Sequence, residues 1–376
     1  MSKGGKYLAK KPVAAKKKKK KILPKILLGL LILILLAVAG VVLYMNHLMN
    51  LVSRPDDIPV APVPTVQATA SALETVETGE TEPPTTSPED TWPEIVSDEN
   101  ITNFMLVGNA YRPGEEYYIT DTMILVSVNR ETKTITLTSL MRDMCLVWPH
   151  YVDTLGKSHS GNNRINMAYN MGYSWTRNKQ DSMDVLESIV QHNFGIPVER
   201  TVEVDFTLFD KITEVLGGVE VELNQEEIEY LQKNYPVSNT AKTLTPGTCQ
   251  LSPFLTLCYA RMRKVGHGDY ERTERQRTVI TKMIEKLKDM NILEINRLFQ
   301  TILPYITTDM TNKEITNYAF EFIPMLKDLK IQSQRIPFDG NEVSVVRNGD
   351  YMLAPRDLKA TARQLQESIG MEIPVE

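Results

Sequence analysis

Twenty consecutive uncharged residues, Ile26 to Met45, constrain this chain more than any other feature. Dominated by Leu, Ile and Val, the run would extend about 30 Å as a helix at roughly 1.5 Å per residue, enough to cross the hydrocarbon core of a bilayer. An unbroken basic run, Lys16 to Lys21, precedes it, and residues 1–25 hold eleven Lys and no acid. Lys/Arg excess marks the cytoplasmic flank, so the sequence predicts a single-pass protein of the cytoplasmic membrane, N-terminus inside and C-terminal domain extracellular. Ala37-Val38-Ala39 also fits a signal-peptide cleavage site, although the apolar run continues past it to Leu43. Both readings export the chain.

The basic tail hides the charge of the rest. Residues 26–376 carry 31 basic and 47 acidic groups, a balance of −16 that disfavours nucleic acid as a partner. Cys145, Cys249 and Cys258 form no C-x-x-C pair, which excludes a zinc ribbon or thioredoxin-type motif and leaves any single disulfide pairing open.

Residues 46–98 contain eight Pro and ten acids against one Arg, a composition that predicts an extended, self-repelling linker. From residue 99 the pattern changes. Asn103 to Val107, Thr122 to Val128 and Thr134 to Thr138 read as strands, the last two joined as a hairpin. Asp181 to Phe194 has helical spacing, followed by Gly195 where a C-cap belongs. Thr201 to Phe206 and Val219 to Leu223 read as strands, and Leu208 to Leu216 and Gln225 to Asn234 as helices. A helix over Arg272 to Met290 places Val279, Ile280, Met283, Ile284 and Leu287 on one stripe. The expected organisation is an α/β domain over 99–290, completed by residues 291–376 through helices at Ile292 to Phe299 and Asn312 to Leu326 and a strand at Glu342 to Arg347. Trp148, Trp175 and the Met residues read as core or pocket wall.

No G-x-S-x-G, S-x-x-K, G-x-x-x-x-G-K-[ST] or H-E-x-x-H occurs, and the five His are scattered singly, which argues against serine hydrolases, P-loop NTPases and zincins. Arginine stands out instead. Arg142-Asp143 follows a predicted strand, where α/β proteins place ligand-contacting residues. Arg272, Arg275 and Gln276, at i, i+3 and i+4, are expected on one face of the first turn of a helix whose free N–H groups favour an anion. Guanidinium forks there suit a diphosphate; a solvated helix start neutralised by Glu271 and Glu274 has the same composition.

Six segments occur in order over about 175 residues: Phe104 to Gly108, Thr120 to Leu125, Ser139 to Asp143, Arg164 to Tyr169, Leu216 to Val221 and Tyr259 to Gln276. Together they resemble the LytR–CpsA–Psr family. The resemblance implies an α/β/α layered domain with a central mixed sheet, preceded by one transmembrane helix, and an apolar pocket for a polyprenyl chain beneath an arginine-lined mouth. It also implies a reaction, transfer of a glycopolymer phosphate from an undecaprenyl diphosphate carrier to a peptidoglycan sugar hydroxyl. By the same resemblance Arg142, Arg261, Arg263 and Arg272 contact the diphosphate, with Arg112, Arg164, Arg275 and Gln276 as further substrate-binding residues. Asp269 orients Arg272, and Asp121 is a ligand for Mg²⁺.

Two positions depart from the family pattern. Ala110 stands where a G-x-D-x-R motif ending at Arg112 would have its Asp, and Ile119 stands where an Arg commonly precedes Asp121 by two. One magnesium ligand is therefore missing. A non-catalytic polyprenyl-phosphate scaffold and a polyprenyl diphosphatase are the competing readings.

Overall fold

Alternation along the first strand, β1 (Ile101–Asn109), sorts the domain into layers. Ile101, Met105 and Val107 enter one core, whereas Phe104 packs edge-on against Tyr318 and Leu106 faces a cavity. The computed structural model describes residues 44, 47–52, 54, 95–109, 120–266, 268–347 and 349–372. Of a separate unit, Met1–His47, only Tyr44 and His47 are described. The expected membrane span at 26–45 thus lies almost wholly outside the described residues, among which no helix is long and apolar enough to cross a membrane.

Along the chain, β1 is followed by β2 (Thr120–Asn129), β3 (Thr134–Leu140) and a hairpin of β4 (Cys145–Val152) and β5 (Ser158–Arg164). Helices α1 (Asn166–Thr176) and α2 (Lys179–Phe194) lead to β6 (Arg200–Val204), α3 (Phe206–Leu216), β7 (Val219–Leu223), α4 (Gln225–Asn234), the short α5 (Asn239–Lys242) and β8 (Gly247–Leu251). Then come α6 (Pro253–Ala260), α7 (Asp269–Asp289), α8 (Ile292–Ile302), β9 (Thr307–Thr308) and α9 (Asn312–Met325). The last elements are β10 (Lys330–Ile336), β11 (Glu342–Arg347), β12 (Asp350–Pro355) and α10 (Leu358–Ser368).

The central sheet is mixed, in the order β10-β3-β2-β1-β6-β9. Strand β1 runs antiparallel to β2 and parallel to β6, and β3 runs antiparallel to β2 and parallel to β10. Four strands therefore end at one edge, and that edge carries the site. Helices α1, α2 and α10 bury Tyr169, Leu186 and Leu365 with Met105 and Leu125 on one face. On the other face a second core unites the two-stranded β7–β8 sheet with α4, α6 and α7.

Local chemistry sets the boundaries. Asp205 accepts from the Leu208 N–H and so starts α3 at Phe206, ending β6 earlier than its apolar run suggests. Capping boxes at Asn224/Glu227, Asn291/Glu294 and Thr311/Glu314 start α4, α8 and α9. The linker expected over 46–98 does not begin at its N-terminal end as a free tether. Leu48, Met49 and Val52 are buried and Arg54 donates to Asn312, because this apolar stretch has surface to bury before the Pro-rich part starts. Residues 55–94 lie outside the described residues. All three cysteines are free thiols.

Candidate active site

Asp121 is placed by an irregularity in the sheet. Gly108 pairs with Thr122 and Asn109 with Thr120, so Asp121 is the extra residue of a β-bulge. Such bulges re-aim a side chain, here into a mouth at the ends of β1, β3 and β6.

Three arginines converge on it. Arg142, two residues past β3, donates from Nη1 to Asp121 Oδ1 at 2.9 Å and from Nε to Asp269 Oδ2 at 2.5 Å. Arg263 donates to Asp121 Oδ2 at 2.5 Å. Arg272, on the first turn of α7, donates from Nη2 to the Asp121 carbonyl at 3.0 Å, with Nη1 lying 3.4 Å from Asp269 Oδ1 and 3.8 Å from Asp121 Oδ1. Gly268, with φ +78°, turns the chain into α7 and sets Asp269 at its first position.

Within this ring three guanidiniums face the carboxylates of Asp121 and Asp269, and a third carboxylate, Asp143, lies 3.5 Å from Arg142 Nε and is shared with Arg164. Burial would raise the Asp121 carboxyl, but the hydrogen bond from Arg142 and the charges of Arg272 and Arg263 outweigh it, so Asp121 titrates below the usual range and is ionised at neutral pH. Burial, reinforced by Arg263 and Arg142 nearby, holds Arg272 below the ordinary guanidinium value. Arg272 is only 2% exposed, yet its Nε and Nη1 have no hydrogen-bond partner. A buried guanidinium with idle donors is costly unless an anion completes it.

Beneath the ring lies an apolar cavity of about 490 Å³. Its wall includes Leu106, Phe206, Ile212, Leu257 and Ile302, and its mouth is lined by Asp121, Arg261, Arg263, Arg272 and Gln276. The stripe Val279, Ile280, Met283, Ile284 and Leu287, which the sequence places on one side of the helix, lines this cavity along α7. Arg261 sits with its guanidinium carbon 4.7 Å from the Phe206 ring centroid.

Other expected site residues are placed differently. Arg275 does not share a face with Gln276, since adjacent helical residues diverge by about 100°. Its guanidinium is buried on Glu227 at 2.8 Å and on the carbonyls of Met262 and Val265, so it fixes the arginine-bearing loop rather than meeting a ligand. Arg164 does not line the cavity; it pairs with Asp143 and Asp350 and donates to the Tyr351 carbonyl. Glu271 and Glu274 do not neutralise the ring; Asp121 and Asp269 do. Arg112, Ala110 and Ile119 lie outside the described residues. Among the described residues no cluster of three or more His, Cys, Asp or Glu could hold a metal ion.

Sequence reasoning missed a buried network behind the mouth. Glu203 takes both oxygens to Lys179 Nζ at 2.8 and 2.9 Å, and also accepts from Asn109 and from the Tyr169 hydroxyl. Glu203, a charge between Val202 and Val204 in β6, is the one sequence signal that points to it.

A greasy cavity beneath an arginine ring at the carboxyl edge of a mixed sheet defines the class of domain to which this site belongs. The LytR_cpsA_psr family model matches residues 64–367, and the chain belongs to that family. It is 24% identical over 279 residues to Biofilm regulatory protein A of Streptococcus mutans, covering 71% of this chain and 65% of that protein. It is 25% identical over 192 residues to the polyisoprenyl-teichoic acid–peptidoglycan teichoic acid transferase TagV of Bacillus subtilis, covering 50% of this chain and 44% of TagV. With TagU of Enterococcus faecalis, a transferase of the same description, the identity is 28% over 204 residues, 54% of this chain and 58% of TagU. The chain thus spans between two-fifths and two-thirds of these relatives. Among solved structures, TagV of B. subtilis superposes with a TM-score of 0.52 at 21% identity, covering 74% of this chain and all of that one. TagT bound to a ligand designated LIIa-WTA gives 0.53 at 22%, covering 73% and 92%. These likenesses establish the mixed α/β fold.

Proposed function

We propose that this chain transfers a glycopolymer phosphate from an undecaprenyl diphosphate carrier to a peptidoglycan sugar hydroxyl. The observation that carries the reading is Arg272, buried at the mouth of an apolar cavity, where among the described residues its Nε and Nη1 make no hydrogen bond and Nη1 faces Asp269 and Asp121 only at ion-pair distance. The cavity suits an isoprenoid chain, and the ring of Arg142, Arg263 and Arg272, with Arg261 beside it, suits the diphosphate. Family membership and the names of the teichoic acid transferases support the same reaction.

In this reaction the acceptor hydroxyl oxygen forms a bond to phosphorus and gives up its proton, the bond from that phosphorus to the bridging oxygen breaks, and the polyprenyl phosphate departs with the electron pair, the proton passing to the departing phosphate or to solvent. Both carboxylates at the mouth are engaged by guanidinium, so catalysis rests on spreading phosphoryl and leaving-group charge. Asp269 acts as a positioning residue, holding Arg142 and Arg272 in register. Asp121, an ionised hard-oxygen donor, has the chemistry to hold Mg²⁺ together with diphosphate oxygens; such an ion would add charge neutralisation at the phosphates. The basic tail and apolar run support placement on the outer face of the cytoplasmic membrane.

The test is a transfer assay on the full chain in detergent, with a polyprenyl diphosphate sugar and peptidoglycan oligomers, read by mass spectrometry of the phosphodiester. Arg142→Ala should slow product formation by about 100-fold with the circular dichroism spectrum unchanged. Tight lipid binding without any turnover would favour the scaffold reading, and release of inorganic phosphate or polyprenyl phosphate without acceptor the diphosphatase.

A further inference from the structure

Helix α7 presents a second face to a second cavity. Tyr270, Glu274 and Arg277 recur at i, i+4 and i+7, away from the face of Arg272 and Gln276, and line a polar pocket of about 600 Å³. Its far wall is β10 and the segment after it, with Arg335, Phe338 and Asp339, and Glu342 at the start of β11.

The two arginines of this pocket differ. Arg335 is satisfied: it pairs with Asp339, lies 3.6 Å from Glu342 Oε1, donates to the Pro337 carbonyl at 2.5 Å and stacks 4.4 Å from the Tyr270 ring centroid. Arg277 is not. It is 7% exposed, and among the described residues its buried Nε and Nη1 find no hydrogen-bond partner. Burial pushes its guanidinium down to about 10. Two carboxylate oxygens in the same pocket, Glu271 Oε2 and Glu342 Oε2, are likewise buried and unpartnered. A buried cation without partners and two buried carboxylate oxygens without donors, that of Glu342 left over after its Oε1 faces Arg335, are each unfavourable until a ligand of opposite charge pattern supplies their partners.

We propose that this pocket binds a diamino acid group, its carboxylate on Arg277 and its ammonium groups on Glu271 and Glu342. Guanidinium takes a carboxylate in a two-pronged fork, and each free carboxylate oxygen accepts from an ammonium. Tyr270 and Phe338 provide walls for the intervening methylenes. Such a group could come as the free amino acid or within the peptide borne by a peptidoglycan strand, where the α-nitrogen is an amide that reaches its carboxylate as an N–H donor and only the side-chain ammonium is charged; the second source rests on the proposed transfer reaction, the first does not.

Calorimetric titration of the full chain in detergent separates them. L-Lysine and a lysine-containing disaccharide tripeptide are the probes, with lysine amide and Nα,Nε-diacetyl-lysine as controls lacking the anion or the cations. At least one probe should bind, and each control at least tenfold more weakly than lysine. Arg277→Met should lose at least tenfold in affinity while its ligand-free melting temperature stays level or rises, because an unpaired buried charge has been removed. Tenfold tighter binding of the disaccharide tripeptide assigns the pocket to the acceptor strand; equal affinities assign it to a free amino acid. No binding of either probe, or diacetyl-lysine binding as well as lysine, overturns the proposal. Binding is read without turnover, so an inactive transferase leaves this result intact.

Discussion

Arg272 and Arg275 are three residues apart and do opposite work. Arg272 keeps donors idle at the cavity mouth, whereas Arg275 spends its donors on Glu227 and two carbonyls. Removing one partner of a buried ion pair strands the other, at a cost of about 3 kcal/mol or more. Arg275→Met should therefore lower the melting temperature by several degrees, measured by calorimetry, and so should Glu227→Gln, which can keep the capping box of α4 but strands the buried Arg275 charge. An unchanged melting temperature would mean that Arg275 is free to meet a ligand. Sequence could rank both arginines as anion-binding but could not separate them, since the separation depends on Glu227, 48 positions away.

At the scale of elements, what was legible followed local signals. Val219 to Leu223, Gln225 to Asn234 and Glu342 to Arg347 form the expected elements at the expected bounds, because alternation or a capping box marks each. The β4–β5 hairpin and β10 escaped: Ser158–Arg164 and Lys330–Ile336 are half-exposed strands with too few apolar residues to show a period. The Asp121 bulge is illegible in principle, being a property of pairing between β1 and β2. One glycine carries a strong local prediction. Gly218 has φ +77°, and a Cβ there would sit 1.9 Å from the Leu251 carbonyl oxygen in the adjoining strand β8. Gly218→Ala should destabilise the two-stranded β7–β8 sheet and its core, seen as faster hydrogen exchange of the Val219 to Leu223 amides; exchange at the wild-type rate would contradict the close approach.

For the whole molecule, pH dependence comes from a buried acidic cluster remote from the arginine ring. Burial raises Glu187 to about 8, helped by Asp309, and burial raises Asp309 to about 6. Both folded values exceed the ordinary ones, so the folded state binds more protons than the unfolded chain between about pH 4 and 8. Stability must fall as pH rises through that window, by a slope on the order of 1 kcal/mol per pH unit for one such group. Glu187→Gln keeps an acceptor for the Thr201 hydroxyl and should flatten denaturation midpoints measured from pH 5 to 8, with a gain at pH 8. A wild-type midpoint that climbs over this range would refute the assignment.

The central claim is that the cavity along α7 holds an isoprenoid whose diphosphate meets the guanidinium ring. Native mass spectrometry of the full chain with a polyprenyl diphosphate tests it most directly, comparing wild type with Ile280→Trp, which fills the cavity, and Arg272→Met, which removes the buried cation. The wild type should carry one lipid, with occupancy falling at least tenfold in each variant; equal lipid occupancy in all three, or none in the wild type, would contradict the account.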